Sequence, residues 1–163
     1  MIDRSALHSA RVMATLLAQG QRIDLWSLGL ALVTVLSLLS LPLPAEGWES
    51  GASLWTPVLL GASLLAALAQ RAMAMHVSFD AAIFRAWADD WAKDGAAPPT
   101  ADLAAFDAAL IQCGLSPPSA PTDRPLDSRL GGAHRLLKRQ LAAFGVQLIC
   151  LAIALLAIGL PSY

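Results

Sequence analysis

Residues 141–160 read LAAFGVQLICLAIALLAIGL, a run with no charged side chain. About 20 such residues are what a helix needs to cross the ~30 Å hydrocarbon core of a bilayer. Two similar runs lie upstream. Leu25 to Leu43 is free of charge and stops at Pro42 and Pro44. Leu54 to Gln70 is shorter, but Arg71 at its end can snorkel to the headgroups, so Ala72 to Met75 extend it. Pro57 reads as a first-turn proline, where a missing N–H is cheap. The composition agrees: 56% of the residues are hydrophobic and 14% charged, against about 25% charged in a soluble domain. A chain of 163 residues cannot hide that much apolar surface in a water-soluble globule. The prediction is an all-α integral membrane protein with three transmembrane helices at residues 23–43, 54–75 and 140–160. Buried helices of a soluble core would need a polar layer the chain lacks. A cleavable signal peptide would not begin with so long a charged lead-in.

Orientation follows from the basic residues. All 11 lie before the first run or between Arg71 and Arg139. The loop at 44–53 carries Glu46 and Glu49 and no Lys or Arg, and Pro161, Ser162 and Tyr163 follow the third run. The positive-inside rule then predicts N-in/C-out topology in the cytoplasmic (inner) membrane of a bacterium. Trp26, Trp48 and Trp55 fall at span ends, where interfacial tryptophans sit. A net charge of −1 and a pI near 6.2 offer no general basis for binding nucleic acid. Cys113 and Cys150 are too few for a disulfide scaffold.

The segments assigned to the cytoplasm are residues 1–22 and 76–139. In the first, Arg4, His8, Arg11, Thr15, Gln19 and Arg22 form one polar helical stripe, with Leu7, Ala10, Met13, Leu16 and Leu17 largely opposite. Such an amphipathic helix suits either a surface of anionic lipid or the protein's own cytoplasmic helices. Gly20 would bend the chain before the first span. In the second segment the second span continues as a helix to about Asp94, with Phe79, Ile83, Trp87 and Trp91 as an apolar ridge and Phe84 beside it. Thr100 reads as an N-cap; Leu103, Phe106, Leu110 and Cys113 form the inner face of a short helix that Gly114 ends. Residues 116–125 are a Pro- and Ser-rich tether. Asp127 or Ser128 restarts a helix, in which Gly131-Gly132 marks a hinge or a close-packing point. Charge is segregated: six Asp from Asp80 to Asp107, then five basic residues from Arg124 to Arg139. The two charged extensions would either lie side by side or each offer a face to a partner. Trp87, Trp91, Phe84, Ile83, Arg135, Lys138 and Arg139 are the predicted interaction residues.

Chemistry is sparse. His76 and Asp80 share a helix face at i, i+4, but a metal site needs three or four ligands, and HExxH and CxxC are absent. Asp89, Asp90 and Asp94 read as a solvated acidic cluster. Neither a phosphate loop nor a GxSxG elbow occurs, and no lipidation signal is apparent. No catalytic residue, metal or cofactor is therefore predicted. Instead of ionisable groups, the spans carry small or weakly polar stripes: Ser27, Ala31 and Thr34; Thr56, Ser63, Ala67 and Gln70; Ala143, Gln147, Cys150, Ala154 and Ala157. That spacing packs helices in lipid, so Thr34, Ser63, Gln70, Gln147 and Cys150 are the predicted intramembrane packing residues. Gln147 needs a partner in a neighbouring helix or subunit. These features suggest a non-catalytic accessory or scaffold subunit of an inner-membrane complex. Its expected partners are the lipid bilayer and other membrane subunits or a second copy, with no nucleic acid. A small homo-oligomeric channel lined by the polar stripes is the alternative, and a membrane enzyme at the cytoplasmic face the second.

Overall fold

In the computed structural model the residues described are 4–41, 51–93, 99–117, 119 and 124–159. They form four helices, with no strand among them: α1 (Arg4–Leu39), α2 (Gly51–Trp91), α3 (Pro99–Gln112) and α4 (Leu126–Gly159). Three helices are long and apolar enough to cross a membrane: α1, the Trp55–Trp91 stretch of α2, and α4. Residues 44–50 of the predicted outer loop, Asp94 and half of the Pro-rich tether lie outside the described residues.

Each long helix continues past its apolar run. α1 passes through Gly20 without a break, so the expected bend is absent. One glycine costs about 1 kcal/mol in a helix interior, which a 36-residue helix absorbs. α2 starts at Gly51, earlier than expected, which puts Pro57 in its second turn rather than its first.

The chain divides into two compact units. The first, here called the span unit, comprises Gly20–Met75 and Leu137–Tyr163. Its buried positions recur every seven residues: Gly20, Ser27 and Thr34 on α1; Thr56, Ser63 and Gln70 on α2; Gln140, Gln147 and Ala154 on α4. A seven-residue repeat keeps one seam of a helix facing its neighbours. Leu60, Leu151 and Ala154 form the apolar core, with Leu30, Leu38, Leu41 and Leu59 packed on it. The outward faces are also apolar; Leu25, Trp26, Leu36, Leu65 and Leu156 are all more than half exposed. A continuous apolar exterior around a partly polar seam fits lipid as the solvent and not water.

The second, the extension unit, comprises Met1–Gln19 and His76–Leu136. On α1 the polar stripe Arg4, His8, Arg11, Thr15 and Gln19 is exposed as expected, while Ala6, Ala10, Ala14 and Leu17 are buried. Leu16, expected on the buried side, is exposed. On α2 the buried stripe is Val77, Ala81, Phe84, Ala88 and Trp91, with Trp87 beside it; Phe79 is half exposed. The expected every-fourth-residue ridge fails for a geometric reason. Each four-residue step overshoots a full turn by about 40°, so a ridge drifts, whereas alternating steps of four and three hold one face.

α3 begins at Pro99, so Thr100 lies inside its first turn and is not the cap. Its end is as predicted: Gly114 has φ +71°, the Leu115 N–H donates to Leu110 O at 2.9 Å and the Gly114 N–H to Ile111 O at 3.0 Å. This pair of bonds is a Schellman cap, and it needs a residue that tolerates positive φ. Cys113 falls in that turn, past the last helical residue, and is exposed instead of belonging to the inner face.

α4 starts at Leu126 and runs unbroken through Gly131 and Gly132. Both are exposed, and a Cβ at either would meet nothing within 4 Å. Neither is a close-packing point. Gly131→Ala and Gly132→Ala are each expected to stabilise the fold by up to about 1 kcal/mol through helix propensity. A rise in the thermal midpoint of each variant in detergent checks this.

Candidate functional site

The buried polar side chains fall into two clusters, one in each unit. In the extension unit the centre is Asp107, whose side chain is 2% exposed. It sits four residues after Leu103 on the buried face of α3. Arg129 of α4 donates to Asp107 Oδ2 at 2.5 Å and to Leu103 O at 3.3 Å. Arg124 donates to Asp107 Oδ1 at 3.0 Å, and its carbonyl accepts from Arg129 Nε at 3.2 Å. Burial pushes the Asp107 carboxyl up, but hydrogen bonds and charge from Arg129 and Arg124 together outweigh it and hold the group below its ordinary value. Both carboxylate oxygens are thus engaged by guanidinium groups, which suits a fixed ion pair better than a proton-transfer role.

Aromatic rings close the cluster. The Arg129 guanidinium carbon lies 5.7 Å from the Trp87 ring centroid and 5.6 Å from that of Phe106. Trp87 meets Phe84 and Phe106 edge-on at 5.5 and 5.3 Å and stacks on Trp91 at 5.9 Å. Trp91 Nε1 donates to Asp102 Oδ2 at 2.7 Å, tying α2 to the first turn of α3. The predicted adhesive ridge is therefore turned inward. Trp87, Trp91 and Phe84 are buried and Ile83 is partly buried, because α3 and α4 supply a ring and a cation that fit them. Sequence reasoning missed Asp107, Arg129, Arg124 and Asp102 as a group. The available signal was Asp107 itself, on the helix face marked by Leu103, Phe106 and Leu110.

The segregated charges meet only in part. Asp107 pairs with Arg124 and Arg129, and Asp90 pairs with Lys93, two residues past the end of α2. Arg135, Lys138 and Arg139 are exposed, and among the described residues they pair with no carboxylate; Arg135 Nε donates to Gly131 O of its own helix at 3.2 Å. His76 is exposed and Asp80 partly buried. Among the described residues no group of three or more His, Cys, Asp or Glu side chains is placed to hold a metal ion.

The span unit holds the other cluster, which gathers most of the predicted packing residues. Ser27 Oγ donates to Gln147 Oε1 at 2.6 Å, and Gln147 Nε2 donates to the Ser27 carbonyl at 2.9 Å. Ser63 Oγ donates to the Gln147 carbonyl at 3.2 Å and lies 3.3 Å from Thr34 Oγ1. Gln147 thus finds its partners within the same chain. One level along, Gln140 Nε2 donates to Gly20 O at 2.9 Å, and Arg71 forms an ion pair with Asp24. Gln70 is fully buried, but its amide bonds to no protein group; Cys150 is partly buried. Bonds that join helices at the centre of an apolar unit stiffen it, and they use up the polar groups that would otherwise line a passage. No family model matches the chain, and neither a curated protein nor a solved structure matches it.

Proposed function

We propose that this protein is a non-catalytic accessory or scaffold subunit of a bacterial inner-membrane complex. Its three long helices span the bilayer with the N-terminus and the extension unit in the cytoplasm and the C-terminus outside. The observation that carries the reading is where the polar groups are spent. In the span unit Ser27, Thr34, Ser63 and Gln147 bond helix to helix; in the extension unit Asp107, Arg124 and Arg129 bind α3 to α4 and to the residues just before it. Such side chains build a rigid body and leave few polar groups to line a path or a reaction site. The orientation rests on the basic residues, which lie on one side of the three spans.

The docking surface belongs to the exposed basic residues of α4, Arg135, Lys138 and Arg139, and no longer to the aromatic ridge. An acidic segment on a neighbouring subunit is the complementary partner. Tagged protein extracted from its own membranes in mild detergent is expected to co-purify with another subunit. Reversing the three charges with Arg135→Glu, Lys138→Glu and Arg139→Glu is expected to reduce that recovery to background without loss of folded protein. A single symmetric species without other subunits would refute the scaffold reading and favour a homo-oligomeric channel.

A further inference from the structure

Gln70 is the anomaly of the span unit. It has no exposed surface, yet both atoms of its amide lack a protein partner. The conclusion holds whichever way the amide is turned, since both ends are unbonded. Two other buried acceptors in the same unit are also without a partner, Gln140 Oε1 and Asp24 Oδ1.

The register brings these groups to one level. Gln140 Nε2 bonds the Gly20 carbonyl, which fixes α4 against α1 there. Asp24 lies one turn beyond Gly20 and pairs with Arg71, the residue after Gln70, which fixes α2 at that level too. The spacing agrees independently. Gly20, Gln70 and Gln140 each lie seven residues from Ser27, Ser63 and Gln147, which hydrogen bonds join. At this level α1 contributes a glycine, with no side chain to occupy the seam.

We propose that the Gly20–Gln70–Gln140 level is an internal binding site for water, closed on one side by the Asp24–Arg71 pair. A buried amide without a hydrogen bond is costly, and native proteins usually remove that cost with a partner or an ordered water. The inventory selects the ligand. Three acceptor oxygens and one amide nitrogen with two N–H groups are available. Asp24 is neutralised by Arg71, so the site carries no net charge. A monovalent cation would have too few oxygens and would face the amide N–H groups. Water donates to the oxygens and accepts from the nitrogen, and a buried water typically has two to four polar partners, as here. The next level, Ser27 and Ser63 with Gln147, has its polar side-chain atoms bonded within the protein, so the water stops there and does not thread the spans.

The test uses the full chain in lipid nanodiscs with glutamine side chains labelled with nitrogen-15, reading magnetisation transfer from water to each amide. The Gln70 and Gln140 side-chain amides are expected to show water cross-peaks, while Gln147, bonded through both amide atoms to Ser27, shows none. In Gln70→Leu the Gln140 cross-peak is expected to be lost while the Gln147 resonance keeps its position. Absence of water contact at Gln70 in the wild-type chain would overturn the proposal. So would a direct contact between the Gln70 and Gln140 amides, which would show that the two satisfy each other.

Discussion

Arg129→Ala is expected to destabilise the extension unit by up to about 3–5 kcal/mol, because it leaves a buried carboxylate with only the partly exposed Arg124 as its charged partner. Asp107 is 2% exposed and Arg129 9%, so the Asp107 oxygen that Arg129 engages has no solvent to turn to in the folded unit. The same substitution removes a cation from between Trp87 and Phe106. Arg124→Ala is expected to cost about 1 kcal/mol or less, since Arg124 is 41% exposed and its pair is partly screened by solvent. Urea titrations in detergent, followed by tryptophan fluorescence, measure both, with Trp87 and Trp91 as reporters inside the cluster. Equal effects of the two variants would contradict the assignment of Arg129 as the principal partner.

The sign of the pH dependence follows from the same group. Asp107 is held below its ordinary value in the folded chain, so its contribution is complete above the unfolded carboxylate pKa of about 3.9. It is lost as pH falls through the lower, folded value. The wild-type chain is therefore expected to lose part of its stability in acid, and Asp107→Asn, less stable at neutral pH, to lose less of it over the same range.

Gln147→Ala carries the second large effect, an expected loss of about 2–3 kcal/mol from two interhelical hydrogen bonds and the cavity left by the side chain. Each bond alone averages only about 0.6 kcal/mol between membrane helices, so the cavity dominates. Gln147→Leu, which refills the volume, is expected to cost less than the alanine variant. Paired with Ser27→Ala in a double-mutant cycle, it is expected to show a coupling of about 0.5–2 kcal/mol, because the two side chains bond each other. Thermal unfolding in micelles checks the order. A leucine variant as damaging as alanine would mean that the bonds outweigh the packing.

The three apolar runs were legible because twenty uncharged residues in a row have few other uses, and residues 141–159 of the third form more than half of α4. Thr34, Ser63, Gln70 and Gln147 were legible as buried because polar residues amid leucine and valine must face protein rather than lipid. The identity of their partners was not, since a stripe on one helix does not reveal the register of the next. Trp87 and Trp91 failed differently. Large aromatics on an extension beyond a span read as an exposed surface until Phe106 and Arg129 are known to meet them, and those come from separate helices. Asp107 illustrates the cost of sorting by charge: counted among six acidic residues, it is read only as part of a charged segment, although its helical position places it with Leu103 and Phe106. Gly131 and Gly132 were overread, because glycine weakens a helix wherever it stands and packs closely only where a neighbour arrives.

We propose a membrane-spanning chain whose extension unit lies in the cytoplasm, and the native cysteines test this topology with little disturbance. Cys113 is exposed just past α3, while Cys150 is partly buried within the apolar run of α4. A membrane-impermeant maleimide applied to inverted inner-membrane vesicles is expected to label Cys113 and not Cys150. Applied to intact spheroplasts, it is expected to label neither. Labelling of Cys113 from outside, or release of the chain from membranes by alkaline carbonate, would contradict the account.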